Sequence, residues 1–471
     1  MEKPTIILAT SNGVGMGHLA RASAIAYSLK EIANPIIVSM AGGIAEVPDF
    51  MGIRCEYIPG RDRMWMSREK WDVYLRDRLL ALVEETGAKV LSFDGVVPYP
   101  GVIAAKNANP NLKLVWVRRG LWQKKPQRFI LGLQAKMMDK IIEPGDIARA
   151  YDFGPTAKRK DSVLTSPVSL FRKEDAMSRD DARRALGLDL NRPTVLVQLG
   201  TGEGDVNEKM TAALSGLLGW KDLQVILTKA PVDKDGNSLA PEGLDLKVAR
   251  YFPLAKVLHA FDAGICATGY NGVHELLPAQ LPTVFVSNIR GTDDQEARAK
   301  WCHDFGFALR ADQADLADIT AKVKLLQDPE VRKRLSDKCA ELPDTTGGQE
   351  IASMLFQLAM AEKPAGAKTF TFFRLMAQDH VNRGLRHVAN LGLRRVALVY
   401  RFLNPHIKVQ EIDQEPPVFG AQATSAELHP LIKSSTRFEH LITGASDNYR
   451  KRREEIAFTA YGKETVITKT K

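Results

Sequence analysis

Cysteine is scarce in this chain: Cys55, Cys266, Cys302 and Cys339 are the full complement. No two form a CxxC pair or stand at a metal-ligand spacing, which argues against a disulfide framework and for a reducing compartment. Long hydrophobic runs are missing too; none reaches the roughly 18–20 residues that a bilayer-spanning helix needs. The opening Met1-Glu2-Lys3-Pro4-Thr5 has neither a basic n-region nor an apolar h-region, so no signal peptide is expected and the protein reads as cytoplasmic. No internal repeat of solenoid length is visible. The one Asp-x-Asp of note, Asp233-Lys234-Asp235-Gly236, reads as a surface turn, and no metal is expected.

What is present is an ordinary globular balance, 45% hydrophobic and 26% charged, over 471 residues. That length exceeds one core and predicts two domains plus an appendage. Two stretches stand out. Gly13-Val14-Gly15-Met16-Gly17-His18-Leu19-Ala20-Arg21 follows the apolar run Thr5–Ala9 and opens a helical pattern ending near Leu29. Thr268-Gly269-Tyr270-Asn271-Gly272-Val273-His274-Glu275 follows the run Phe261–Cys266 and opens another. Strand, glycine turn and helix start together make an element that cradles phosphate, because glycine permits the sharp turn and the helix N-terminus offers N–H groups and a positive dipole end.

The remaining pattern alternates short apolar runs with helix-length stretches. Strands are predicted at Thr5–Ala9, Pro35–Ser39, Val90–Phe93, Leu112–Val117 and Lys140–Ile142. After a crossing marked by Pro167 and the charged stretch Arg172–Arg184, a second series is predicted at Thr194–Leu199, Gln224–Thr228, Leu246–Ala249, Phe261–Cys266 and Thr283–Val286. Such runs predict parallel βα units with both sheet faces covered. The expected class is α/β: two Rossmann-like doubly wound domains facing across a cleft, residues 1–165 and 166–363. A helix Glu350–Ala361 closes the second half, and a basic extension occupies 364–471.

The net charge of +9 is concentrated in that extension. Between Lys368 and Lys408 stand eight basic residues and one acid, Asp379. At 100° per residue, Val381, Leu385, Val388, Val396, Val399 and Leu403 share one helical face, and Arg383, Arg386, Asn390, Arg394 and Arg401 share the opposite one. This basic amphipathic helix has two readings: contact of 370–403 with an anionic membrane surface, or packing on the N-terminal domain or a second subunit. The two α/β domains are nearly neutral and carry no recognition motif, so no nucleic-acid partner is expected.

His18 beside a glycine-rich helix start reads either as a cap or phosphate contact or as a general base. Asp94, just past Val90–Phe93, would hold the histidine's tautomer in the second case and would be a helix cap in the first. Arg118, Arg119 and Trp122 follow a predicted strand and mix cations with a ring, which suits an anionic or sugar acceptor; a solvated loop with one buried Trp is the plain alternative. Arg61–Met66 shares that ambiguity.

Taken together, Gly17-His18, the Gly269–Glu275 stretch and the downstream Asp293-Asp294-Gln295 resemble the GT-B glycosyltransferases. The nearest branch is the MurG-like group (family 28), which contains the peptidoglycan enzyme that adds N-acetylglucosamine to a lipid-linked acceptor. The resemblance covers roughly residues 4–360. It implies that Glu275 binds the ribose hydroxyls of a UDP-sugar and that Gly17, Gly269, Asn271 and Gly272 belong to the turns that hold the diphosphate. It further implies that Asp294 and Gln295 read the donor sugar, that Phe252 marks the uracil site, and that Gly200-Thr201-Gly202 is the family's other interdomain loop. No Glu stands eight positions after Glu275, as in retaining members, which implies inversion. The first loop departs from the branch: Gly17-His18-Leu19-Ala20-Arg21 replaces a proline-containing continuation and looks more like nucleotide-sugar hydrolases and other transferases of the fold. The expected activity is an inverting, metal-independent transfer of N-acetylglucosamine or a related hexose from a UDP-sugar to a hydroxyl acceptor, lipid- or polysaccharide-linked. No cofactor is needed beyond the UDP-sugar co-substrate, and the location implied is cytoplasmic, peripheral at the inner face of the membrane. A nucleotide-sugar hydrolase and a non-catalytic nucleotide-sugar-binding protein are the alternatives.

Overall fold

The computed structural model describes residues 2–362 other than 12–16, 41–50, 62–65, 124–129, 201–205, 229–239, 250 and 289–291, together with 366, 368–377 and 381. Short runs rich in Ile, Val and Leu, which need cover on both faces, form two parallel sheets. The first contains β1 (Thr5–Thr10), β2 (Asn34–Ser39), β3 (Arg54–Tyr57), β4 (Val90–Asp94), β5 (Lys113–Val117), β6 (Lys140–Glu143) and β7 (Val163–Leu164), in the order β3-β2-β1-β4-β5-β6-β7. The second contains β8 (Thr194–Gln198), β9 (Gln224–Leu227), β10 (Asp245–Val248), β11 (Ala263–Ala267), β12 (Thr283–Val286) and β13 (Leu309–Ala311), in the order β10-β9-β8-β11-β12-β13. Both are doubly wound, as the alternation predicts. Strand order reverses between β1 and β4 in one sheet and between β8 and β11 in the other, and such switch points open crevices for ligands.

Side chains alternate cleanly across each sheet. In β1, Ile7 and Ala9 join one core cluster while Ile6 and Leu8 join the cluster on the other face. Val195 and Val197 of β8 face one cluster and Leu196 the other. Three strands escaped the sequence reading. Arg54–Tyr57 and Val163–Leu164 are short edge strands with little burial, and Leu309–Ala311 carries Arg310 in its middle, so none shows the continuous apolar run of a central strand.

Four helices position the site: α1 (Gly17–Leu29), α2 (Tyr270–Leu276), α3 (Gln295–Asp304) and α4 (Gly347–Met360). Helix α4 returns to the first sheet. Its Ile351, Ala352, Leu355 and Ala359 pack with Ala22, Ile25 and Leu29 of α1. It begins at Gly347 rather than near Glu350, in a crossing so close that a Cβ there would lie 2.0 Å from the Ser166 carbonyl oxygen. Lys113 donates to the carbonyls of Leu358 and Ala361 at 2.6 and 2.5 Å and so caps its far end.

In the extension, residues 369–377 are helical. Leu375, with Phe372 and Met376, packs on the first domain's core, and Lys368 pairs with Asp139 at 3.3 Å. Phe370 and Phe373 remain 75% and 63% exposed. The amphipathic helix expected over 381–403 lies outside the described residues apart from Val381. Among the described residues no helix is long and apolar enough to cross a membrane.

Candidate active site

Parallel pairing sets Thr10 of β1 beside Asp94 of β4. The chain leaving β1 enters α1 through the glycine-rich loop, so the first turn of α1 stands over the end of β4 at the first switch point. There His18 Nδ1 lies 2.7 Å from Asp94 Oδ1. Arg21, one helical turn on, donates through Nε to Asp94 Oδ2 at 2.7 Å and through Nη2 to Oδ1. Arg21 Nη2 is also 3.1 Å from His18 Nδ1. Since ionised Asp94 can only accept, the shorter contact assigns the hydrogen to Nδ1 of His18, pointing at the carboxylate, and in the neutral ring leaves Nε2 as an acceptor. Burial favours the protonated Asp94 carboxyl, but the Arg21 charge and the His18 hydrogen bond outweigh it and hold the group at about 2. Burial lowers the His18 pKa, against the opposing pull of Asp94. The result is an ionised carboxylate behind a neutral imidazole.

The second glycine element sits at the second switch point. Gly200, with φ of 91°, leaves β8, and Gly269 caps α2 after β11. A Cβ on Gly269 would meet nothing within 4 Å, so this turn borders open space. Glu275 of α2 is half-buried and has no polar partner among the described residues; burial pushes its carboxyl up to about 8. A carboxylate so placed gains from two adjacent hydroxyl donors, which is what a ribose offers.

The two elements touch. Asn271 Nδ2 donates to the Gly17 carbonyl oxygen at 2.9 Å. Around that contact α2 is bound to the first domain at two further points. Tyr270 Oη donates to the Gly145 carbonyl at 2.8 Å and accepts from Val168 N at 2.9 Å. His274 donates from Nδ1 to the Tyr270 carbonyl at 2.7 Å, so its Nε2 accepts from Ile147 N at 3.1 Å. Burial lowers the His274 pKa to about 4, consistent with that neutral tautomer.

A buried ionic chain crosses the same seam. Arg298 of α3 pairs with Asp146 of the first domain at 2.8 Å and with Asp293 of the second at 2.9 Å, and donates to the Thr268 carbonyl at 2.7 Å. Arg119 approaches Asp293 at 3.6 Å. Burial works against ionised Asp293, but Arg119 and Arg298 overcome it and hold the carboxyl at about 2. The sequence reading assigned no role to Arg298, Asp146, Tyr270 or His274. Arg21 did carry a signal, since three positions after His18 on a helix is the same face.

Several expected site residues have other employment. Arg118, expected at the acceptor surface, is buried instead; its guanidinium pairs with Asp161 at 2.8 Å and Glu143 at 3.5 Å and lies over Trp116. Trp122 is also buried, and its indole donates to the Arg119 carbonyl. The loop around it bridges to Asp293, with Gln123 N donating to Thr292 O at 2.9 Å and Asp294 N to Leu121 O at 3.0 Å. The Asp294 carboxylate caps α3 by accepting from Ala297 N at 3.0 Å. Gln295 is turned inward onto Asn288 N and Asp293. Phe252 packs at the edge of the first domain's cluster, and Gly272 has only the Ala267 carbonyl near, 3.5 Å from a built Cβ. Thr201, Gly202 and Asp233–Gly236 lie outside the described residues.

No protein-family model matches the chain. It is 25% identical over 290 residues to the UDP-N-acetylglucosamine–N-acetylmuramyl-(pentapeptide) pyrophosphoryl-undecaprenol N-acetylglucosamine transferase of Cutibacterium acnes, a match covering 58% of this chain and 74% of the relative. The enzyme of that name from Rhodococcus jostii is 25% identical over 396 residues, 76% of this chain and 97% of the relative. Among solved structures, the glycotransferase of kitacinnamycin superposes with a TM-score of 0.52 at 18% identity, covering 76% of this chain and 99% of that one. Phytolacca americana UGT2, complexed with UDP-2fluoro-glucose and pterostilbene, superposes with a TM-score of 0.54 at 14% identity, covering 76% and 100%.

Proposed function

We propose that this chain, a glycosyltransferase of the GT-B fold that resembles the MurG-like UDP-sugar transferases, moves N-acetylglucosamine or a related hexose from its UDP-sugar to a hydroxyl of a lipid-linked acceptor, with inversion and without a metal ion. The observation that carries the reading is the Asp94–His18 pair at one switch point, held against the Gly269–Glu275 turn at the other by Asn271 and Gly17. Glu275 takes the ribose hydroxyls, and the turn at Gly269 faces the diphosphate. The acceptor oxygen enters beside His18 Nε2, which removes its proton. That oxygen bonds to the anomeric carbon as the carbon–oxygen bond to the diphosphate breaks, and UDP departs with the electron pair. Asp94 stabilises the imidazolium that forms, as carboxylates do in base dyads. Direct displacement from the opposite face inverts the anomeric centre. Arg119 lies near enough for its charge to disfavour the His18 imidazolium, which keeps the base neutral before the acceptor arrives.

The exposed Phe370 and Phe373, next to Arg374 and followed by the basic stretch, support a peripheral seat on an anionic membrane surface, where such an acceptor resides. The test of the chemistry is the product's anomeric configuration, read by NMR after reaction of UDP-N-acetylglucosamine with a membrane lipid extract in EDTA. Product of opposite configuration, at a rate EDTA does not change, supports the reading. Retained configuration, or loss of rate in EDTA, contradicts it.

A further inference from the structure

Arg21 is fully buried and makes a two-pronged contact with Asp94, yet nothing in sugar transfer requires a guanidinium behind the dyad. Its other face lies over the ring of Tyr270, 5.1 Å from the centroid, and Tyr270 belongs to the second domain. The hydroxyl of that ring is fixed in turn to Gly145 and Val168 at the interdomain crossing. The path from the crossing to the base is therefore continuous: backbone of 145 and 168, Tyr270, Arg21, Asp94, His18. We propose that Arg21 and Tyr270 are positioning residues that make the His18–Asp94 dyad competent only while α2 of the donor domain is seated on the first domain. The proposal rests on His18 and Asp94 being the base pair described above.

The physics is specific. A guanidinium is planar and always charged, so it can hold a carboxylate in one plane while stacking on a ring. With the Tyr270 face in place, Arg21 is confined and both Asp94 oxygens are fixed, which in turn fixes the Nδ1–H tautomer of His18. With α2 withdrawn, Arg21 loses that face and Asp94 loses its orientation. The charged groups around the dyad are Asp94 from β4, Arg21 from α1, Arg119 from the loop after β5 and Asp293 from the loop before α3. Arg21 and Arg119 disfavour the imidazolium and Asp94 favours it. Removing or loosening Arg21 leaves Asp94 less compensated and raises the proton affinity of His18.

The experiment needs neither donor nor acceptor, so its failure is distinct from failure of the transferase reading. Long-range 1H–15N spectra are recorded on full-length protein labelled at its nine histidines, with His18 assigned by its absence in His18→Gln. In the wild type His18 is expected as a single Nδ1–H tautomer. In Arg21→Gln its titration moves to higher pH and the tautomers mix. Tyr270→Leu, which removes the ring, shifts it in the same direction by less. Tyr270→Phe, which keeps the ring over Arg21 and cuts only its tie to Gly145 and Val168, shifts it less than Tyr270→Leu does. Should Arg21→Gln fail to fold, the two Tyr270 variants carry the comparison alone. His18 unaltered in folded Tyr270→Leu, or shifted equally by Tyr270→Phe and Tyr270→Leu, overturns the proposal.

Discussion

The side-chain amide of Asn271 donates to the main-chain carbonyl of Gly17 at 2.9 Å, joining residues 254 positions apart. Each stands in a glycine-rich turn at the switch point of its own sheet, so this bond places the two ligand crevices against one another. One N–H of the Asn271 amide is committed to this contact. In the function proposed above, a diphosphate at this turn would be met by backbone N–H groups at the helix start.

Removing the base tests the division of labour. His18→Ala should lower kcat by about 10²- to 10⁴-fold and leave UDP affinity unchanged, since general-base catalysis contributes on that scale. Asp94→Asn keeps the shape but permits the wrong tautomer, and a comparable loss is expected. Steady-state kinetics with calorimetric titration of UDP separates the two effects.

The pH profile follows from the same pair. His18 works as a base only when neutral, and burial lowers its pKa from the ordinary 6.5. The acid limb of kcat/KM should therefore lie below that value, with no further loss from Asp94 until pH approaches about 2. Asp94 raises the His18 pKa, so in Asp94→Asn the acid limb should move to still lower pH while the plateau falls.

Glu275 gives a stability signature without substrate. Burial raises its carboxyl from 4.5 to about 8. Between those values the folded state holds a proton that the unfolded state has released, so this group's contribution to stability declines as pH rises through the window. Glu275→Gln should flatten that decline, giving a Tm advantage over wild type that grows from pH 5 to pH 9. Above pH 8, where the wild-type carboxyl is ionised, the same variant should bind UDP about tenfold to a hundredfold more weakly, the scale of hydrogen bonds to a charged group.

Arg298 holds two buried carboxylates, Asp146 and Asp293, from different domains. Arg298→Met takes the cation from Asp146 and leaves Asp293 only the 3.6 Å approach of Arg119, and it should cost about 3–5 kcal/mol of stability, read from urea unfolding. Stability lost with Asp146 and Asp293 ionised is partly regained as they protonate, so the deficit should shrink as the pH is lowered toward 4.

Much of this was legible in the sequence because central parallel strands advertise themselves: Thr5–Thr10 and Val90–Asp94 are apolar on both faces, and their ends set the positions of His18 and Asp94. Edge strands such as Arg54–Tyr57 carry no such signal. Arg118 looked like a loop cation because Asp161, which buries its charge, lies 43 positions away. Asp146 and Arg298 are 152 positions apart, and no periodicity links them. Asp294 and Gln295 matched a family pattern by order, while their side chains cap and brace α3. Contacts across the seam depend on how two separately wound sheets dock, and local patterning is silent on that.

The most direct measurement of the central claim is UDP release from UDP-N-acetylglucosamine by the purified protein, with and without a membrane lipid extract, in wild type and His18→Ala. The account predicts release that requires the extract and is lost in the variant. Equal release of UDP and free sugar without extract, or release that His18→Ala leaves intact, would contradict it.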